Sequence, residues 1–226
     1  MISIKSLSKS YGSKAVLKDI NLELKSGQVH GIVGQNGAGK TTLFRCLAGL
    51  ETHEGSITSD LPNLKGTLGY FETNPIFLSR ITGWEYLKLL CIARNNNRED
   101  FAEQNIFGLP LHQYAETYST GMKKKLALTG LLLQGNKTLI LDEPFNGVDI
   151  HSNMLITKLI SMLKEKEKMI LISSHIYATL AETCDYISIL ENGHIARTVA
   201  RADFKTLGEE LGQSMPTSTL DGFGLL

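Results

Sequence analysis

Residues 34–42 read Gly-Gln-Asn-Gly-Ala-Gly-Lys-Thr-Thr, and what flanks them decides their meaning. His30, Gly31, Ile32 and Val33 precede them as a short apolar run, and Leu43, Phe44, Arg45, Cys46, Leu47 and Ala48 follow as a helical segment. Gly34, Gly39, Lys40 and Thr41 fit the spacing G-x-x-x-x-G-K-[ST] of a phosphate-binding loop. Glycines allow positive φ and carry no Cβ, so successive backbone N–H groups can close around a phosphate. The helix that follows adds its unpaired N–H groups and the positive end of its dipole. In that pattern Lys40 reaches the β- and γ-phosphates and the Thr41 hydroxyl binds Mg²⁺, while Gln35, Asn36, Gly37, Ala38 and Thr42 complete the cradle. The plain alternative is a glycine-rich turn with a surface lysine; the strand before it and the helix after it argue against that.

Outward from the loop, the chain is ordinary in bulk. Its 226 residues suffice for one large α/β domain with a well-buried core. Hydrophobic residues make up 42% and charged residues 20%, as in a soluble globular protein. The 23 basic and 23 acidic side chains cancel, which argues against nucleic acid as a partner, since phosphate neutralisation needs a basic surplus. Cys46, Cys91 and Cys184 show no C-x-x-C spacing and suit buried roles in a reducing compartment. The first residues, Met-Ile-Ser-Ile-Lys, lack the apolar stretch of a secretory signal. No run approaches the ~20 apolar residues of a membrane span; the longest, 126–133, is interrupted by Thr129 and Gly130.

Alternation of polar and apolar residues predicts strands at 2–7 and 15–24, joined by a turn at 9–13 that exposes Tyr11. Residues 51–62 are polar and turn-rich, and 67–71 read as a further strand. From Thr82 to Arg94 the apolar residues Trp84, Leu87, Leu90 and Ile92 fall near helical spacing; Asn95, Asn96 and Asn97 make a break, and 100–107 is expected to form a second short helix. Residues 121–134 are expected to be helical and 138–141 a buried strand. A long amphipathic helix with Leu155, Ile156, Leu159, Ile160 and Leu163 on one stripe follows, and 170–175 is a second buried strand with a polar tip. Residues 177–183 read as a helix, and 187–190 with 194–199 as a hairpin around Asn192 and Gly193; the rest is weak in signal, and the tail after Leu211 is expected to be mobile.

Strands alternating with helices form a parallel sheet, whose ligands bind at the carboxyl ends of the strands. Three polar clusters stand at such ends: the phosphate loop, Asp142-Glu143 after Leu139-Ile140-Leu141, and His175 after Ser173-Ser174. Asp142 is placed to hold Mg²⁺ directly or through water. Glu143 is the candidate to orient and polarise an attacking water. An Asp-Glu-Pro triplet is otherwise an ordinary helix start. A lone histidine is ordinarily a packed or capping group, and His30, His53, His112, His151 and His194 are read that way.

With these residues in place, the chain resembles the ATP-binding subunit of an ABC transporter over about residues 1–205. The family's signature sequence, of the form LSGGQ, appears as Tyr118-Ser119-Thr120-Gly121-Met122. Ser119 and Gly121 match the positions that, in the family, bind the γ-phosphate on the opposite subunit; Thr120 and Met122 depart from the pattern. The Tyr-Ser-x-Gly-Met form resembles single-domain exporter ATPases. The resemblance further implies that Asp149 communicates across the dimer, that His175 is the switch histidine contacting the γ-phosphate, that Lys40 and Glu143 act with it in catalysis, and that Tyr11 stacks on adenine. The family usually has a glutamine after the strand ending at Phe71, where it meets Mg²⁺; here stand Glu72 and Thr73, and either could take its place.

The expected fold is α/β: a P-loop NTPase core (1–75 and 119–205) with a mainly parallel sheet, an N-terminal antiparallel β part, a small helical insert (76–118) and a C-terminal tail (206–226). The implied function is ATP hydrolysis powering transport. The implied cofactors are ATP and Mg²⁺. The implied partners are a second copy or paired ATPase subunit sandwiching ATP, and a separate transmembrane permease, with the chain on the cytoplasmic face of the membrane. Two other classes share the loop. An ABC-type ATPase of a soluble complex would carry long coiled coils or duplicated domains, which are lacking here. A kinase or GTPase gives no reason for 119–122 or His175, and no Asn-Lys-x-Asp guanine motif occurs.

Overall fold

In the computed structural model, which describes residues 1–213, the apolar runs become the middle of a six-stranded sheet. Its order is β5 (Leu68–Phe71), β6 (Thr138–Asp142), β7 (Met169–Ser174), β3 (Val29–Val33), β8 (Tyr186–Glu191), β9 (His194–Ala200). All neighbours are parallel except the β8–β9 hairpin. Strands β3, β6 and β7 are buried on both faces, which explains why they read as unbroken apolar runs. Val29, Val33, Leu139, Leu141, Ile170 and Ile172 enter one core with α4 (Thr120–Leu133), α5 (Ile150–Glu165) and α6 (Tyr177–Thr183). Ile32, Ile140 and Leu171, on the opposite face, enter a second core with α1 (Lys40–Leu47) and the N-terminal sheet. Each such fully buried Leu or Ile contributes roughly 1.5–3 kcal/mol of burial.

The N-terminal sheet is antiparallel, ordered β2 (Lys14–Leu24), β1 (Ile2–Tyr11), β4 (Glu54–Ser59). Strand β1 runs through Tyr11, so the turn is tighter than expected: only Gly12, at φ +57°, and Ser13 separate it from β2. The polar stretch at 51–62 supplies β4, an edge strand whose solvated face hides its periodicity.

The insert is built on α3 (Gly83–Ile92), started by a capping box in which Thr82 and Glu85 satisfy each other's backbone N–H groups. Leu87, Cys91, Phe101, Leu109, Leu111, Ala115 and Tyr118 form its own small core against Leu126 and Leu133 of α4. The second helix expected at 100–107 is replaced by turns. Asn105 both accepts from the Leu109 N–H and donates to the Leu109 carbonyl, and Asp100 pairs with Arg98 and Gln104, so side chains take the place of a helical ladder. Arg94 ties the insert to the core by donating to the carbonyls of Gly66 and Leu68, the latter at 2.8 Å. Between β4 and β5, α2 (Leu64–Thr67) is a single turn capped by Asn63.

The stretch after the β8–β9 hairpin, weak in sequence signal, is helical. Residues 204–213 form α7 (Phe204–Gln213), with Phe204 and Leu207 buried in the core under α6. Residues 214–226, which complete the expected tail, lie outside the described residues. Cys46, Cys91 and Cys184 are buried free thiols.

Candidate active site

Three strand ends, of β3, β6 and β7, meet at one edge of the sheet and carry the polar clusters. Gly34 leaves β3 so close to β8 that a Cβ there would stand 2.5 Å from the Leu190 carbonyl oxygen. Gly37 and Gly39 take φ of +84° and +111°, which turns the loop into α1. Gly39 caps α1 without a side-chain hydrogen bond, so no side chain occupies the first N–H groups of the helix. Lys40 is buried, donating to the carbonyls of Gly34 at 2.7 Å and Gln35 at 3.3 Å.

Asp142, fully buried at the end of β6, is the hub. Its Oδ2 accepts from Thr41 at 2.7 Å and Thr73 at 2.8 Å, and its Oδ1 accepts from Ser173 at 2.5 Å. Thr73 thus reaches the carboxylate, whereas Glu72 lies 3.5 Å from Arg45 Nη1. Burial, with the nearby Asp142 second, pushes the Tyr70 hydroxyl well above its ordinary range. Glu143 follows with φ +51°, a left-handed conformation unusual for a side chain of this size. Its N–H donates to Ser173 Oγ at 3.0 Å, so one hydroxyl holds both acidic residues. The turn directs the Glu143 carboxylate between Lys40 Nζ, at 3.6 Å, and His175 Nδ1, at 2.9 Å. A water held by that carboxylate would face the phosphate loop, and the oxygens gathered at Asp142 suit a hard cation.

The remaining candidates lie apart from this cluster. Tyr11 is 46% exposed, with Lys9 Nζ 4.8 Å from its ring centroid. Lys9 is held by Glu51 at 3.1 Å, and Glu51 in turn meets Arg45 at 3.3 Å. Ser119 caps α4, its Oγ accepting from the Met122 N–H at 3.3 Å. Ser119 and Thr120 are exposed, and among the described residues no hydrogen bond or ion pair joins 119–122 to 34–42. Asp149 caps α5 and accepts from Ser152 and from Lys125, the latter at 2.7 Å; the Lys125 ammonium, foremost, holds its carboxyl well below the usual carboxylate range. Two residues of the site escaped the sequence reading. Ser173 carried a signal as the polar tip of an apolar strand; Lys124, buried against the backbone of Glu143, is indistinguishable in sequence from its two lysine neighbours.

A parallel sheet with a lysine loop and an acidic pair at its carboxyl edge defines a nucleotide-hydrolysing P-loop protein. Comparison makes the class specific. Residues 17–146 match the family described as ABC transporter. The chain is 32% identical over 213 residues to the uncharacterized ABC transporter ATP-binding protein YdbJ of Bacillus subtilis (strain 168), covering 88% of this chain and 69% of that protein. It is 30% identical to the ABC-type transporter ATP-binding protein EcsA of the same organism, covering 98% and 94%. It is also 30% identical to the bacitracin transport ATP-binding protein BcrA of Enterococcus faecalis, covering 88% and 69%. A solved ATP-binding subunit of an ABC transporter superposes with a TM-score of 0.82 at 27% identity, covering 92% of this chain and 93% of that one. The fold is shared, at 20% identity and a TM-score of 0.80, with the ATP-binding cassette MJ0796, solved as a dimer in a post-hydrolysis state bound to ADP and Pi; the match covers 89% of this chain and 99% of that one. The chain belongs to the ABC transporter family as an ATP-binding and ATP-hydrolysing subunit. No helix among the described residues is long and apolar enough to cross a membrane.

Proposed function

We propose that two copies of this subunit close head-to-tail around two ATP molecules, each site joining residues 34–42 of one copy to 119–122 of the other. The observation that carries the catalytic half is the Glu143 carboxylate, held between Lys40 and His175 at the mouth of the phosphate loop. Glu143 orients the attacking water and accepts its proton as the water oxygen bonds to the γ-phosphorus and the bond from that phosphorus to the β–γ bridging oxygen breaks, ADP leaving. Lys40 and the first N–H groups of α1 offset the charge on the phosphate oxygens. His175 fixes the second Glu143 oxygen, and Tyr11 offers a ring face to the base. Exposed Ser119 and Thr120, with half-buried Gly121 and Met122, at the start of a 14-residue helix, form an anion-directed end for the partner's nucleotide, and Asp149 lies beside them on Lys125.

Thr41, Thr73 and Asp142 supply only oxygen donors, and no cluster of three His, Cys, Asp or Glu occurs among the described residues to cage an ion. That fits Mg²⁺, which binds through one or two protein oxygens together with phosphates. When bound, Mg²⁺ would offset charge on the β- and γ-phosphates. Separate transmembrane subunits would dock on the cytoplasmic face at residues 72–80. There Ile76 is 85% exposed beside a 190 Å³ groove lined by Tyr70, Tyr86 and Arg94. An exporter assignment rests on the Tyr-Ser-x-Gly-Met form alone.

The mass of the Glu143→Gln variant, measured by light scattering, tests the sandwich. It should double on addition of ATP; a monomer at saturating ATP overturns it. Recovery from membranes with a multi-span protein tests the docking, and recovery only with soluble complexes overturns that part.

A further inference from the structure

The start of α4 sits on the turn that follows β6, and one side chain from it enters the protein interior. Lys124 is 3% exposed, and its ammonium donates to the Asn146 carbonyl at 2.7 Å and the Glu143 carbonyl at 3.2 Å. No carboxylate pairs with it among the described residues, so the buried charge is balanced by backbone dipoles gathered on Nζ. Burial accordingly pulls its affinity for a proton down, with Glu143 and Asp142 pulling the other way. A charge is a costly way to fill a core position unless the geometry it enforces matters.

What it enforces is the backbone of Glu143. That residue stands at φ +51°, where a side chain costs of order 1–3 kcal/mol unless its surroundings over-determine it. From one side the Glu143 N–H is fixed by Ser173 Oγ; from the other, its carbonyl is fixed by Lys124. The 143–146 turn is closed by a bond from the Asn146 N–H to the Glu143 carbonyl, and Lys124 joins the two carbonyls at its ends. Gly121, one turn earlier on α4, lies so near this loop that a Cβ would stand 3.1 Å from the Gly147 carbonyl.

We propose that Lys124 is a positioning residue for Glu143: its buried ammonium holds the left-handed turn that aims the Glu143 carboxylate between Lys40 and His175. The inference rests on Glu143 as the water-orienting group. It also gives the opening of α4 a second task, because the helix that presents 119–122 to a partner's nucleotide carries the clamp on its own chain's glutamate.

Steady-state hydrolysis by the full chain, with its partners if these are needed for turnover, tests it. Lys124→Met keeps length and apolar bulk but donates nothing; kcat should fall about 10–100-fold, as a misaimed group costs, with KM for ATP within about threefold. Lys124→Gln retains an N–H donor of shorter reach and should recover part of that loss. The decisive measurement is the residual rate of Glu143→Gln with and without Lys124→Met. If Lys124 acts through Glu143, the second substitution adds nothing to the first. Wild-type kcat in Lys124→Met, a rise in KM in place of the kcat loss, or losses that multiply in the double variant would each overturn the proposal. If Glu143→Gln alone keeps full turnover, the reading of Glu143 itself is at fault, and that outcome is separable from the others.

Discussion

Lys40 Nζ and Glu143 Oε1 face each other across 3.6 Å, a cation from the phosphate loop opposite an anion from the end of β6. Both side chains are largely buried, so neither charge is well served by water. The chain brings its glycine-lysine loop and its acidic pair to one place, the condition on which the functional reading stands.

From that geometry, Glu143→Gln should retain ATP and lose turnover. Losing a positioned base costs ~10²–10⁴ in rate, while Lys40 keeps its bonds to the carbonyls of Gly34 and Gln35. Phosphate release together with nucleotide-binding fluorescence checks this. Unchanged release in the variant contradicts the role given to Glu143.

Gly34→Ala should cripple nucleotide binding and lower stability. The added methyl meets a backbone carbonyl, that of Leu190, at 2.5 Å, so β3 and β8 must part. Overpacking of this kind costs typically 1–3 kcal/mol. Thermal melting and ATP titration measure the two effects; Gly37→Ala is the comparison, since nothing lies within 4 Å of a Cβ there and only its φ of +84° opposes it.

Asp142→Asn should raise the Mg²⁺ concentration needed for half-maximal hydrolysis. The substitution removes a charge from the group that gathers Thr41, Thr73 and Ser173. A Mg²⁺ titration at saturating ATP reads it, and an unshifted midpoint would remove Asp142 from the metal's surroundings.

Stability should fall in mild acid through His30. Burial lowers its pKa from 6.5 to about 4, while its Nε2 shares a hydrogen with Ser188 at 2.8 Å. The folded pKa lies below the unfolded one, so between these values the unfolded chain binds the extra proton. The residue therefore costs nothing above pH 6.5 and progressively destabilises as pH falls toward 4, by roughly 3 kcal/mol in all. Urea unfolding of wild type and His30→Asn at pH 7 and pH 4.5 should show a shallower pH slope in the variant.

Much of the site was legible because its residues sit at the ends of unbroken apolar runs, and a run buried on both faces admits few other readings. The position of Thr73 was not, since register after Phe71 depends on how a loop folds back on Asp142. Nor was Lys124: Lys123, Lys124 and Lys125 look like one solvated patch, yet helical rotation sends only the middle one inside. Helix α7 had a signal in Phe204, Leu207 and Leu211, but one so short among polar neighbours that burial under α6, not periodicity, defines it. The expected helix at 100–107 failed for a local reason, the capture of Leu109 by the Asn105 side chain.

The grip of Arg94 on the Gly66 and Leu68 carbonyls has a consequence beyond fastening the insert. Strand β5 is one of the two outermost strands of the large sheet, and an open strand border is where another chain can add itself. The Arg94 guanidinium takes up one acceptor of that strand, the Leu68 carbonyl, and one of the turn before it. The insert thus covers part of the border at which another chain could add a strand.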